Sequence, residues 1–436
     1  MLKTLVGAFK NKDIRKKILY TLMILVIVRV GSLLPIPGVD TEYFSSLLSG
    51  INTGDLSYLS AFTGGSFERM SLFALSITPY ITSSIIMQLL AIAIPKLEEM
   101  QKEGEDGRKK IAAITRYVTI ALALIESIAM AVGFGRSGLI KGYQGFSTLH
   151  YIVSIIVVVA ALTAGSAMLM WLGERITENG VGNGISIVLL INIISGMPSD
   201  FATLYSTFVA PRTIAKGVLA AAIIIAILVV MVVLVCFLQD GERRIPVQYS
   251  QKVSGRKTFG GQSTNIPLKV NTAGVMPVIF ASSLMQFPVI IAQLFGKSYE
   301  WTRYLSSSYW CRISAPKYSI GLILYIVLLI IFAYFYTSIT FNPIEVADNL
   351  KKAGGVIPGI TPGKSTSDYL NNILNYIVFV GAVGLLIIAL IPIMCTGFFN
   401  ASVSFGGTSV IIIVGVVLET LKQIESQMVN RYYKGF

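Results

Sequence analysis

Residues 217–238 read GVLAAAIIIAILVVMVVLVCFL, a stretch of 22 residues that contains no charged side chain. A helix of about 20 mostly apolar residues is long enough to cross the hydrocarbon core of a bilayer. Nine further stretches of the chain are similarly apolar. The predicted spans, numbered 1 to 10, lie near residues 18–35, 70–94, 111–134, 150–172, 181–197, 213–238, 272–295, 319–340, 372–394 and 405–425. The chain is therefore predicted to be an all-α polytopic membrane protein with ten transmembrane helices.

The composition of the 436 residues excludes a soluble globular protein. Hydrophobic residues make up 54% of the chain and charged residues 13%, whereas soluble domains carry about 25% charged residues. Such an apolar composition also excludes a disordered chain, because disordered chains have low hydrophobicity. Length alone would allow two or three soluble domains, but the missing charge rules that interpretation out.

The distribution of basic residues predicts the orientation in the membrane. An even number of spans places both termini on one side. With that side cytoplasmic, the inner segments hold 25 Lys and Arg residues and the outer segments hold 9, as the positive-inside rule requires. Residues 1–17 and 426–436 are thus predicted to be cytoplasmic. No small-residue cleavage site follows span 1, so we interpret it as a retained span.

Residues with catalytic or metal-binding chemistry are scarce. One histidine, His150, cannot build a metal site alone, and three scattered cysteines predict no disulfide framework. Within the spans only Arg29 and Glu126 are ionisable and firmly buried, whereas an ion-coupled transporter generally needs several such groups near the midplane. We predict no catalytic residue, no cofactor and no enzymatic activity. The alternatives are a secondary transporter and a membrane-embedded enzyme, but the chain lacks the residues that either function would need.

Two features do not fit a simple helix bundle. Residues 56–65 read LSYLSAFTGG, which is apolar enough to be buried but too short to cross the membrane. The Gly-Gly pair is expected to end a short helix and bend the chain back; the segment is either re-entrant or an amphipathic surface loop. The inner loops 239–271 and 341–371 are long and basic. Loops of this length are often functional, but their charges could also serve only to set the orientation in the membrane. Residues 345–352 have helical character.

Ten short motifs in order along the chain are similar to those of the SecY family, whose members are the central subunit of the bacterial protein-conducting channel. They are RVGS at 29–32, PIPG at 35–38, FALSITPYI at 73–81, EGEDGRKKI at 103–111, WLGERITENG at 171–180, GNGIS at 182–186, PLKVN at 267–271, AGVMP at 273–277, ADNLKK at 347–352 and FGGTS at 405–409. The resemblance covers nearly the whole chain.

This resemblance implies two pseudo-symmetric inverted halves, residues 18–197 and 198–425, that form a clamshell around an hourglass pore. The waist would be lined by an aliphatic pore ring of Ile77, Ile81, Ile185, Leu189, Ile279 and Ile412. Such a ring expels water and ions, yet it has no hydrogen bonds to break when a polypeptide enters. Segment 56–66 resembles the plug that fills the outer funnel, with Leu56, Tyr58, Leu59, Phe62, Gly64 and Gly65 as its candidate residues.

The family also implies a lateral gate between spans 2, 3, 7 and 8, where Thr82, Glu126 and Asn271 match a polar cluster. The two basic loops resemble the docking site for the motor or the ribosome. The candidate residues there are Arg243, Arg244, Arg256, Lys257, Thr361 and Lys364. Position 361 departs from the family, because bacterial relatives usually carry arginine there and threonine offers no guanidinium fork.

The function implied by the resemblance is a passive, gated channel. It would pass unfolded secretory polypeptides across the plasma membrane and release transmembrane segments laterally into the lipids. The expected partners are the subunits SecE and SecG, the SecA ATPase motor, the ribosome, signal sequences, unfolded substrate polypeptides and membrane lipids. A signal sequence is itself an apolar helix, so it is expected to open the gate by replacing contacts between the gate helices.

Overall fold

The computed structural model describes residues 7, 9–50, 63–135, 148–211, 214–249, 252–254, 257–259, 263–294, 300–312, 316–399 and 407–432. Helices dominate these residues. They are α1 (Lys12–Leu33), α2 (Thr41–Gly50), α3 (Thr78–Ala93), α4 (Pro95–Lys102), α5 (Glu105–Phe134), α6 (Thr148–Asn179), α7 (Gly184–Leu204), α8 (Ile214–Asp240), α9 (Met276–Leu294), α10 (Glu300–Leu305), α11 (Ile320–Thr340), α12 (Pro343–Lys352), α13 (Lys364–Phe399) and α14 (Gly407–Tyr432).

Each of the ten predicted spans overlaps one helix, namely α1, α3, α5, α6, α7, α8, α9, α11, α13 and α14 in chain order. By length and composition alone, six helices of the described chain could cross a membrane, or seven if α3 and α4 form one span bent by 106°. The apolar helix Met276–Gln286 is shorter. The structure is therefore that of a polytopic membrane protein, and it is consistent with ten spans.

The second span begins later than the sequence predicted. Residues 64–77 form turns, and the helix starts only at Thr78, with Pro79 in its first turn. The backbone of this segment is hydrogen-bonded to the chain just after α1: Ile36 N donates to Met70 O (3.1 Å), and Leu72 N donates to Leu34 O (2.9 Å). These bonds give the turns the partners that lipid does not supply, so the apolar run does not need to be helical throughout.

Close approach to glycines lets this segment, residues 63–77, lie inside the bundle. At Gly165 of α6 a Cβ atom would overlap the carbonyl oxygen of Leu72, and at Gly31 of α1 it would overlap the ring of Phe73. Phe73 is buried. The segment is thus held against α1 and α6 at distances that only a residue without a side chain permits.

Two large apolar clusters make up most of the core of the bundle. The main cluster joins residues of α1, α6, α7, α8, α9, α11, α13 and α14. A second cluster joins α2, segment 63–77, α5 and α6, and in it the ring of Phe44 makes edge contacts with Phe67 and Phe134. The main cluster therefore connects helices from both ends of the chain.

The two long inner loops contain β structure, so the all-α prediction describes only the helical bundle. Strand β1 (Glu242–Tyr249) pairs antiparallel with β4 (Ser263–Lys269), and its end also pairs with β5 (Gly355–Val356). The short strands β2 (Lys252–Ser254) and β3 (Lys257–Phe259) form a second pair. The helical character predicted for residues 345–352 is confirmed by α12, whose first turn is capped by the side chain of Asn342.

We expect Gly165→Ala to destabilise the protein by about 1–3 kcal/mol, because the added methyl group meets backbone that cannot move aside easily. The midpoint of thermal unfolding in detergent would fall. The matched control is Gly196→Ala in α7, where a Cβ atom meets nothing within 4 Å and alanine is the better helix former. Equal midpoints for the two variants would contradict the packing described for segment 63–77.

Candidate functional site

The six candidate ring residues come together in the main apolar cluster. Four of them are buried cluster members with at most 5% of their surface exposed, and two, Ile81 and Ile185, are half-buried and pack against it. The buried four are Ile77, Leu189, Ile279 and Ile412. The chain thus brings aliphatic side chains more than 300 residues apart in sequence into one apolar contact region.

Local signals place the ring residues on their helices. Ile77 is the residue before α3, and Ile81 follows one turn later. The side chain of Asn183 accepts hydrogen bonds from the first backbone amides of α7, so Ile185 lies in the first turn and Leu189 one turn further on. None of the six side chains carries a polar atom, so water that enters between them loses hydrogen bonds. This arrangement can act as a seal.

A polar contact lies next to the ring. Asn192 of α7 donates from Nδ2 to the Ser76 hydroxyl (3.1 Å), and both residues are buried. Ser76 has a positive φ of 53°, an uncommon conformation for a residue with a side chain. Because Ser76 precedes Ile77 and Asn192 lies three residues after Leu189, this bond fixes two ring positions relative to each other. Nothing in the sequence pattern indicates this pair, because the two residues are 116 positions apart.

The three candidate gate residues form separate contacts. Thr82 donates to the Thr78 carbonyl of its own helix (3.1 Å), and Asn271 donates to the Gly274 carbonyl of its own turn (2.9 Å). Glu126 is half-buried in α5 and has no hydrogen bond or ion pair to the part of the chain that the structure describes. The hydrogen-bonded cluster implied by the resemblance therefore stays a prediction.

The helices assigned to the gate do lie against one another. Helix α9 contacts α5, and α9 also packs along α11. A cavity of about 160 Å³ lies among α3, α5 and the end of α11, and its lining includes Gln88, Thr115 and Ile339. The Oε1 atom of Gln88 is buried there without a hydrogen-bond partner among the described residues. The packing of this region is thus incomplete.

The candidate plug lies partly outside the described residues. Leu56, Tyr58, Leu59 and Phe62 fall outside them, whereas Gly64 and Gly65 are described. Both glycines have positive φ, 63° and 80°, and they follow the helical residue Thr63. These φ values suit a turn, and the bend predicted at this pair stays a prediction because residues 56–62 lie outside the described ones. The carbonyl of Gly64 accepts a hydrogen bond from Arg29.

The candidate docking residues lie on the two inner loops. Arg243 and Arg244 are exposed on β1, and Arg244 forms an ion pair with Glu242 (2.7 Å). Arg256 lies outside the described residues, and Lys257 begins β3. Exposed Thr361 donates to the Ser365 hydroxyl (2.9 Å), and Lys364 begins α13.

The two loops share an apolar core, which the sequence analysis missed. Val247, Leu350, Ile357 and Leu370 are buried in one cluster that links β1, α12, the turn after β5 and the start of α13. Alternating burial along β1 accompanies this packing. Alternation of period two in residues 242–249 was the sequence signal for the strand.

The molecule is a polytopic membrane protein whose helices pack around one large apolar cluster, and this cluster contains or contacts the six candidate ring residues. The SecY family model matches residues 71–421. The protein translocase subunit SecY of Streptomyces galbus is 44% identical over 445 residues, which cover 100% of both chains. The chain belongs to the SecY family.

Solved structures share the fold. The structure of a protein conducting channel has a TM-score of 0.62 at 18% identity, covering 95% of this chain and 92% of that one. Sec61 in the canine ribosome-channel complex from the endoplasmic reticulum has a TM-score of 0.61 at 18% identity, again covering 95% and 92%. At these identities the likeness concerns the fold.

Proposed function

We propose that the chain is a protein-conducting channel of the bacterial plasma membrane. It passes unfolded secretory polypeptides across the membrane and releases transmembrane segments laterally into the lipid. The observation that carries the proposal is the convergence of six aliphatic side chains from four regions of the chain on one apolar cluster. Membership in the SecY family, over the full length of a translocase subunit, supports it.

The ring acts as the seal and as the passage. With the ring side chains packed together, ions would have to shed their hydration to cross, which is costly in an apolar constriction. An entering polypeptide displaces only dispersion contacts, and these are individually weak. The channel can therefore accept many sequences, because aliphatic side chains offer no hydrogen bonds that would select among them.

The lateral gate opens between the half formed by residues 18–197 and the half formed by residues 198–425. The contact between α5 and α9 joins the two halves. An apolar signal helix that replaces this contact shifts the equilibrium towards the open gate. Glu126, Thr82 and Asn271 lie on or beside these helices, and we assign them to the gate. The plug, residues 56–66, closes the outer funnel.

The channel depends on partner proteins, some of which drive translocation and some of which are companion subunits. We propose that it performs no chemistry itself, that SecE and SecG are its companion subunits, and that the SecA motor and the ribosome dock on the inner loops. Both termini then lie in the cytoplasm, as the 25 to 9 division of basic residues requires. The ribosome-bound Sec61 channel, which shares this fold, supports ribosome docking.

A crosslinking experiment tests the polypeptide route. A photocrosslinking residue is placed at Ile81 or, as the matched control, at Val229 of α8, which is 56% exposed on the apolar bundle surface. Each variant is challenged with a stalled secretory chain. We expect crosslinks from position 81 and none from position 229. An engaged chain without a crosslink at position 81 would mean that the polypeptide passes elsewhere.

Replacing ring residues with small or polar ones should break the seal. We expect Ile81→Gly and Ile279→Ser to raise the ion conductance of resting channels in planar bilayers several-fold, because water can then occupy the constriction. Val229→Ser is the control and should leave the conductance unchanged. If the ring variants conduct no more than the unaltered chain, the seal does not lie at these residues.

The basic loop should bind ribosomes through phosphate contacts. The double variant R243Q/R244Q is expected to weaken ribosome binding and to reduce the slope of log affinity against log salt by roughly 1 per lost contact. Arg175→Gln, at another exposed inner site, is the control and should leave the slope unchanged. A uniform loss of affinity with an unaltered slope in the double variant would exclude direct phosphate contacts by these arginines.

A further inference from the structure

We infer that Arg29 is a positioning residue that clamps the backbone at Gly64 against α7 and thereby keeps the resting channel shut. The inference rests on the proposed function, since it concerns the closed state of that channel. Arg29 is one of the two ionisable residues that the sequence places firmly within the predicted spans, and the proposed passage of polypeptides gives it no task. The structure places its guanidinium where three parts of the chain meet.

The contacts of Arg29 join α1, α7 and the base of the candidate plug. Its Nη1 atom donates to the Ser195 hydroxyl of α7 (2.9 Å), to the Gly64 carbonyl (3.2 Å) and to the Ser32 hydroxyl of its own helix (3.3 Å). The Ser195 hydroxyl also lies 2.7 Å from the Asn192 carbonyl and 3.4 Å from the Gly64 carbonyl. A single cation therefore bonds both to α7 and to the backbone at Gly64.

All three acceptors of Arg29 are neutral. Within the described ranges Arg29 forms no ion pair with a carboxylate, and the positive charge of Arg69 lies close enough to act on it. A charged side chain at membrane depth is costly and is retained where it has a task. Hydrogen bonds from a charged donor are stronger than neutral ones, so the Gly64 carbonyl is held more firmly than an ordinary turn would be.

The backbone at Gly64 is shaped for this contact. Its φ is 63°, and a Cβ atom there would lie 2.5 Å from the Ser195 Oγ and 2.7 Å from the Asn192 carbonyl oxygen. Any side chain would push the segment away from α7. Glycine thus allows the close approach on which the Arg29 hydrogen bond depends.

The clamp is connected to the ring by a short path. Segment 63–77 begins beside Gly64 and ends at Ile77, and the Asn192–Ser76 hydrogen bond ties its far end to the same helix, α7. Both ends of the segment are thus fixed to α7, next to the ring residue Leu189. Release of Arg29 leaves the first end held only by the longer Ser195–Gly64 contact (3.4 Å), whereas the Asn192–Ser76 bond still holds the second end. The first end can therefore move away from α7 while the ring residue Ile77 stays in place.

The test measures ion conductance of resting channels formed by the full chain. We expect Arg29→Gln to raise conductance about tenfold, the factor expected from the loss of one charge-assisted hydrogen bond. Arg29→Lys keeps the charge and should leak less than Arg29→Gln. The matched control is Arg69→Gln, which removes one positive charge from an exposed residue nearby and should leave the conductance unchanged.

A double-variant comparison separates a clamp from general destabilisation. Gly64→Ala should raise the ion conductance as much as Arg29→Gln does. The double variant should conduct no more than either single variant, because both substitutions break the same contact. The effects of Arg29→Gln and Ile279→Ser on conductance should instead be additive, because the Arg29 contact and the ring act separately. Wild-type conductance in Arg29→Gln, equal leakage in Arg69→Gln, or additive effects of Arg29→Gln and Gly64→Ala would each overturn the inference.

The same set of variants distinguishes the clamp from the proposed channel. If Ile279→Ser leaks and Arg29→Gln does not, the ring assignment stands and the clamp is wrong. If Arg29→Gln leaks and Ile279→Ser does not, the clamp is supported and the ring assignment is wrong.

Discussion

The fold depends on how one non-helical segment satisfies its backbone at membrane depth. Lipid offers no hydrogen-bond partners, so residues 63–77 are tolerated only inside protein. The chain after α1 supplies backbone partners, Gly165 supplies space, and α7 supplies the Asn192 side chain. These contacts determine where α3 begins. They also place Ile77 in the apolar cluster, so the position of this candidate ring residue depends on the segment before it.

Polar and apolar contacts in this bundle differ in how strictly they depend on geometry. The ring residues are aliphatic, so their contacts can be exchanged for those of another apolar chain at little cost. The contacts of Arg29, Ser195 and Asn192 are directional, so they hold one geometry and are lost if it changes. A channel that admits many sequences needs the first kind at its constriction. It needs the second kind where a closed state has to be specified.

The sequence predicted those parts of the fold that follow from its apolar runs and its local helix signals. Each of the ten runs overlaps a helix, and the helical character of residues 345–352 appears as α12. It did not predict that residues 70–77 are turns, because their composition is as apolar as that of the helix that follows. The hydrogen-bond partners of Arg29 could not be predicted either, because Ser195 is 166 residues away and serines occur in most spans.

The basic residues of the inner loops are positioned by packing that a count of charges does not reveal. Their basic residues lie on a unit in which β5 of one loop pairs with β1 of the other, over a shared apolar core. Leu370, Ile373 and Ile377 of α13 are part of that core, whereas Leu385 and Ile388 of the same helix belong to the main cluster with the ring. Helix α13 is 36 residues long, or about 54 Å at 1.5 Å per residue. Helix α13 therefore connects the apolar core of the two loops directly with the cluster that contains the candidate ring residues.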